Sequence, residues 1–163
     1  MYNLVGTGFD VHAVNPKEDA SIMLCGVAVP SSYEIIAHSD GDVALHALAD
    51  AILGAIGGGD IGEHFPPSDD QWKDANSELF IQHILKLMQE KGGKLLNVDI
   101  TIIAQAPRVG PYKAQMKENL ARMLAIDPAR VNVKATTTER LGYVGRKEGI
   151  AAQAVCSVAF KDL

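Results

Sequence analysis

The chain has 163 residues, 47% of them apolar and 21% charged, with a formal net charge of -5. That length can bury a full core without disulfides, the acidic balance disfavours a nucleic-acid platform, and no apolar run approaches the roughly 18 residues a membrane span needs. Asp10, His12, Lys17, Glu18 and Asp19 in the first thirty residues exclude a signal peptide, and Cys25 and Cys156 stand apart from any CxxC pairing, so a cytoplasmic protein without a thiolate zinc site is expected.

Taken in order, residues 4–12 end in strict alternation, which places Phe9 and Val11 on one face of a strand and Asp10 with His12 on the other. A D-x-H pair sets a hard oxygen beside an imidazole nitrogen, although alone it fits an exposed strand end equally well. Residues 13–20 are expected as a polar loop, 22–30 as a short strand or hairpin arm, and 31–36 as a second loop. Next comes His38-Ser39-Asp40-Gly41-Asp42-Val43-Ala44-Leu45-His46, rich in hydroxyls, acids and imidazoles. A buried helix over 43–56 begins inside it, with Asp42, His46 and Asp50 along one stripe. A lone His here is more often a hydrogen-bonded core or cap residue. With Asp10 and His12 it completes an Asp, His, His set, the pattern of a zinc site that leaves one position open.

Gly57-Gly58-Gly59-Asp60-Ile61-Gly62 is expected to stop that helix and turn tightly. Residues 65–73, polar and rich in Pro, form an ordered loop or a mobile lid. Asn76-Ser77 caps a helix to Lys91 with Leu79, Phe80, Ile84, Leu87 and Met88 inward, and residues 98–104 read as a central strand. A Pro/Gly loop leads to a helix over 112–125 with Met116, Leu120, Met123 and Leu124 inward. The strand over 131–139 ends in Thr136, Thr137, Thr138 and Glu139, the stretch 141–149 is a glycine-punctuated turn, and 150–160 is the last strand. Those hydroxyls, with Arg140 and Arg146, could hold phosphate oxygens and Glu139 a divalent cation; β-propensity explains the threonines equally well. The order implies one α+β domain over 1–163, a ferredoxin-like α/β sandwich with one mixed sheet covered by helices.

Five motifs then agree. Gly8-Phe9-Asp10-Val11-His12, Ala37 through Ala47, Gly59-Asp60-Ile61-Gly62, Asn97-Val98-Asp99 through Gln105-Ala106-Pro107, and Asn132 through Glu139 with Gly149-Ile150-Ala151 resemble the 2-C-methyl-D-erythritol 2,4-cyclodiphosphate synthase family. The resemblance covers nearly the whole chain. It implies a homotrimer with active sites at subunit interfaces, in which the 2-phosphate of 4-diphosphocytidyl-2-C-methyl-D-erythritol 2-phosphate closes on the diphosphate and expels CMP. It implies zinc on Asp10, His12 and His46, and magnesium or manganese near Glu139. His38 and Thr137 would steady the transition state, with Ser39, Asp60, Ile61, Gly62, Phe65, Ser68 and Asp69 on the erythritol side. Ala104, Gln105, Ala106, Pro107, Arg108, Val109 and Gly110, with Thr136, Thr137, Thr138 and Glu139, would form the cytidine pocket. Tyr143 and Arg146 are further substrate contacts by the same likeness, and Phe9, Arg146 and Glu148 would border an axial cavity able to hold an isoprenoid diphosphate.

The motifs fit loosely at Pro67 and at Arg108-Val109-Gly110, where relatives often carry an acid and a Lys with bulkier apolar residues. For His46, whose free ring N–H needs an acceptor, Asp42 or Asp50 is expected. Two other classes compete: a non-catalytic nucleotide-binding trimer, which would need a fourth metal ligand, and a metal-dependent phosphohydrolase, which would release a linear phosphate.

Overall fold

The computed structural model describes residues 1–161. A long hairpin opens the chain: β1 (Tyr2–Leu24) and β2 (Val27–Ile36) pair antiparallel from Leu24 with Val27 back to Ala13 with Ile36. Residues 13–20 and 31–36 are therefore strand rather than the expected loops. Their polar character reflects an edge pairing with an irregularity between Pro16 and Ala20, while Val14, Ile22, Leu24, Val27 and Val29 bury one face. The two strands meet at Cys25 (φ 53°) and Gly26 (φ 74°); a two-residue turn with both φ positive matches the twist of a hairpin.

The helix α1 (Val43–Ala55) follows, then the single turn α2 (Ile61–His64), capped by Asp60 inside the expected glycine turn. The stretch 65–73 contains one 3-10 turn at Asp70–Trp72. In α3 (Ser77–Glu90) the buried side is Phe80, Ile81, Ile84, Leu85 and Met88. Leu79 is 56% exposed, contrary to the expected inward stripe, because it shares its side with Gln82, His83, Lys86 and Glu90. β3 (Gly93–Ile103), α4 (Lys113–Leu124) and β4 (Val131–Thr136) form a crossover unit; the four inward residues of α4 are buried as expected. The one-turn helix α5 (Gly142–Gly145) and β5 (Gly149–Phe160) complete the chain.

The result is an α+β fold with one five-stranded mixed sheet in the order β2-β1-β5-β3-β4, parallel only between β3 and β4. β5 lies in the middle of the order, and β3, paired on both sides by β5 and β4, is an interior strand as its apolar run suggested. Helices α1, α3 and α4 contribute to one hydrophobic core with the sheet. The other sheet face carries Val5, Phe9, Val11 and Val155, 68%, 54%, 43% and 39% exposed.

One contact positions the site. A Cβ built on Gly6 would fall 1.8 Å from the Ala51 carbonyl oxygen, and one on Gly8 would fall 1.9 Å from that of Ala47. Only glycine lets β1 meet the backbone of α1 so closely. Ala47, Ala51 and Ala55, four apart, present the matching small face. The first turns of α1 are thereby held against the strand that carries Asp10 and His12.

Candidate metal centre

Asp10 and His12 point from β1 toward the helices, and His46 reaches them from the first turns of α1. Asp10 Oδ2, His12 Nε2 and His46 Nδ1 lie 3.1 Å from one another along all three edges. A tetrahedral ion with bonds of about 2.0–2.1 Å spaces its donors about 3.3–3.4 Å apart, so the triangle needs to widen only by tenths of an ångström. Two imidazoles and a carboxylate also form the donor set of an open zinc site. Among the described residues this is the group able to hold a metal ion.

Burial alone would raise the Asp10 carboxyl, but hydrogen bonds and charge from His12 and His46 outweigh it and hold the group well below the usual carboxylate range. The site therefore favours a ligand in its anionic form. Burial pushes Cys156 up to about 11 and also raises Cys25, helped there by the Asp42 charge, which keeps both thiols protonated near neutrality.

The expected partners of His46 are corrected. Its Nε2 faces Ser77 Oγ at 2.9 Å, not Asp42 or Asp50. The Asp42 carboxylate, fully buried, caps α1 through Leu45 N–H and accepts Cys25 N–H and Gly26 N–H from the hairpin turn at 3.0 and 2.7 Å. Asp50 accepts Ile61 N–H at 2.8 Å and so fixes the start of α2. Burial raises both carboxyls against these bonds. Ser77, with Asp40 behind it, escaped sequence reasoning because it lies 31 residues from His46. The Gly6/Gly8 spacing against alanines four apart was visible, as was the placing of Ser77 after a helix cap.

A cavity of about 520 Å³ opens beside the triad, lined by His12, His38, Ser39, His46, Ile61, Gly62, Phe65 and Asp69 among the expected residues. Ile36, Trp72, Lys73 and Phe80 join them, and Phe65 stacks on Phe80 beneath the rim. Asp60 stands at its edge as the cap of α2, accepting Glu63 N–H at 3.0 Å, while Ser68 is exposed and outside the lining. Asp74 N–H donates to the His38 carbonyl at 2.9 Å, tying the 65–73 stretch to the His38 loop.

A second cavity of about 400 Å³ gathers Ala104, Gln105, Pro107, Arg108, Val109, Gly110, Thr136 and Thr137 at the ends of β3 and β4. Ala106 precedes Pro107 there through a cis peptide. Gln105 Oε1 accepts Arg140 N–H at 3.1 Å, Thr137 Oγ1 accepts Glu139 N–H at 3.2 Å and Thr138 Oγ1 donates to the Leu141 carbonyl at 2.6 Å. Glu139 and Arg140 both have positive φ (52° and 66°), and the Glu139 side chain is exposed. Tyr143 and Arg146 lie outside both cavities, and Arg146 pairs with Glu148 at 2.9 Å. Asp10 and Ile102 are in register across Ala152, so the triad and the second cavity share one end of the sheet, roughly 10 Å apart at about 4.8 Å per strand.

Fold and site together define an α+β protein with an Asp/His/His group able to hold a metal ion beside two neighbouring cavities. The chain belongs to the YgbB family, which it matches over residues 4–159. It is 59% identical over 153 residues to a bifunctional enzyme IspD/IspF of Novosphingobium aromaticivorans, covering 94% of this chain and 39% of that protein. The chain thus spans about two fifths of the curated relatives it matches. The structure of the bifunctional IspDF of Campylobacter jejuni superposes with a TM-score of 0.92 at 43% identity, over 99% of this chain and 43% of the other. A 2C-methyl-D-erythritol-2,4-cyclodiphosphate synthase solved in a CDP-bound form gives a TM-score of 0.87 at 34% identity, covering 95% of this chain and 99% of that one.

Proposed function

We propose that residues 1–163 form a single catalytic domain that cyclises 4-diphosphocytidyl-2-C-methyl-D-erythritol 2-phosphate to 2-C-methyl-D-erythritol 2,4-cyclodiphosphate and releases CMP. The observation that carries this reading is the equilateral Asp10, His12, His46 triangle, found in a chain of this family. The 2-phosphate oxygen attacks the diphosphate phosphorus, and the bond to the leaving CMP breaks. Two anionic phosphates repel each other, so closing the ring needs positive charge on both and little else. Zinc at the triad and magnesium or manganese at Glu139 would supply that charge. No protein nucleophile is required.

The chain's own groups bind and orient. His38 and Thr137 stabilise charge on the reacting phosphates; Ser39, Asp60, Ile61, Gly62, Phe65, Ser68 and Asp69 hold the erythritol side. Residues 104–110 and 136–139 take the cytidine, with Tyr143 and Arg146 as outer contacts. Support comes from the size of the second cavity and from the CDP held by the solved relative. A homotrimer with sites between subunits is favoured by the open sheet face with Val5, Phe9, Val11 and Val155, a surface too apolar to be left bare. Phe9 and the Arg146–Glu148 pair would border its axial cavity, where an isoprenoid diphosphate could sit. The β3–α4–β4 unit and the layer of helices on one sheet face favour a ferredoxin-like kinship. Among the described residues no helix is long and apolar enough to cross a membrane.

Incubation with the cytidyl substrate, zinc and magnesium, followed by phosphorus NMR, tests the reaction. A cyclic diphosphate with equimolar CMP is expected. A linear phosphate would point to a hydrolase, and unchanged substrate to a binding protein.

A further inference from the structure

His46 can serve a metal through Nδ1 only if that nitrogen carries no proton, and an isolated imidazole leaves the choice open. Three side chains from three separate segments make it here. Asp40 lies in the loop before α1, Ser77 is the first residue of α3, and His46 is on α1. Ser77 is completely buried, and its Oγ hydrogen-bonds Asp40 Oδ1 on one side and meets His46 Nε2 at 2.9 Å on the other. Asp40 is fixed by two further donors, Ser77 N–H to Oδ2 at 2.9 Å and Asp42 N–H to Oδ1 at 3.1 Å.

A serine hydroxyl has one proton and otherwise only lone pairs. Its neighbour Asp40 offers only lone pairs as a carboxylate, so the hydroxyl proton goes there. Toward His46 the Ser77 oxygen is then an acceptor, and Nε2 must bring the hydrogen. That leaves Nδ1 bare, facing Asp10 Oδ2 and His12 Nε2 at 3.1 Å. The Ser39 hydroxyl, 3.4 Å from Nε2, is too distant to compete. We infer that Ser77 and Asp40 are positioning residues that select the His46 tautomer and ring orientation needed for metal binding.

This rests on the metal reading of the triad proposed above. Unlike the Asp42 and Asp50 carboxylates, which cap and tether helices, the Ser77–Asp40 pair ends on a metal-ligand nitrogen. It also couples the start of α3, which roofs the cavity through Phe80, to the metal site.

The test uses the zinc-loaded chain, with zinc affinity measured by chelator competition and the His46 ring N–H followed by proton–nitrogen NMR. Wild type should show an Nε2–H signal protected from exchange. Ser77→Ala should weaken zinc binding about ten- to a hundredfold and lose that protection, while Ser77→Thr, which keeps the hydroxyl, restores both. Asp40→Asn keeps the shape but offers Ser77 an amide N–H, freeing the hydroxyl proton to turn toward His46; it should also lose at least about tenfold. It decides the matter if Ser77→Ala fails to fold. Zinc affinity and an Nε2–H signal indistinguishable from wild type in the folded variants would overturn the inference alone. A wild-type chain that takes up no zinc would overturn the metal reading and this inference with it.

Discussion

The triad and the 136–140 loop stand at one end of the same sheet, yet they are built in opposite ways. Asp10, His12 and His46 converge within one chain, mostly shielded from water, with donor atoms already near a tetrahedral spacing. Thr136, Thr137, Glu139 and Arg140 are exposed and held by bonds to their own loop and to Gln105, and among the described residues they build no second metal-ligating cluster. The first region is paid for by folding. On the proposed function the second would be completed by substrate, a second cation or a neighbouring subunit, and its two consecutive left-handed residues already fix an uncommon loop shape.

Breaking the first region should cost most. Replacing His46 by Ala removes a ligand outright, so zinc should be lost from the purified chain and cyclic product should fall by more than the roughly hundredfold that loss of an outer partner costs. Metal analysis and the phosphorus assay check it. Glu139→Gln should separate the two regions: zinc content unchanged, turnover lower by about 10²–10³-fold, with partial recovery at high magnesium. If this variant also lost zinc, the independence of the regions would be wrong.

Gly8→Ala sharpens the comparison from the side of packing. Its Cβ collides with the Ala47 carbonyl, so α1 must move off β1. A loss of about 1–3 kcal/mol in denaturant unfolding is expected, together with weaker zinc binding because His46 moves with the helix. Glycine-to-alanine changes that left both intact would show that the close approach does not position the ligand.

The smallest effect belongs to the outer strands. Asp99 on β3 is held against β4 by Lys134 at 2.8 Å and Asn132 at 3.0 Å. Partial burial pushes its carboxyl up, but the bonds and charge of these two partners outweigh it and leave the group below its ordinary value. A lowered folded pKa means stability that is present above the unfolded value near 4 and fades as the pH falls through the folded one. Asp99→Asn should therefore lower stability slightly at neutrality, by less than about 1 kcal/mol since the pair is exposed, with the difference from wild type closing as the pH falls below 4.

Much of the first region was legible in the sequence because its signals are local. Alternation put Asp10 and His12 on one strand face, and helical spacing put His46 on the first turns of α1. The length of the hairpin was missed because Asn15, Lys17, Glu18 and Asp19 look like a loop, whereas an edge strand with an irregular register tolerates them. The middle place of β5 was missed since it comes from pairing with β1 and β3, which lie far from it in sequence. The partner of His46 was misjudged for a related reason. Asp42 and Asp50 sit at helical spacing from it, but Asp42 is drawn to the hairpin N–H groups and Asp50 to Ile61, and the hydroxyl that remains comes from α3.

X-ray absorption at the zinc edge on the purified chain tests the triad most directly. The account expects one zinc per chain with two imidazole nitrogens and oxygen donors at about 2.0–2.2 Å and no sulfur. A sulfur shell at about 2.3 Å, or no bound zinc after loading, would contradict it.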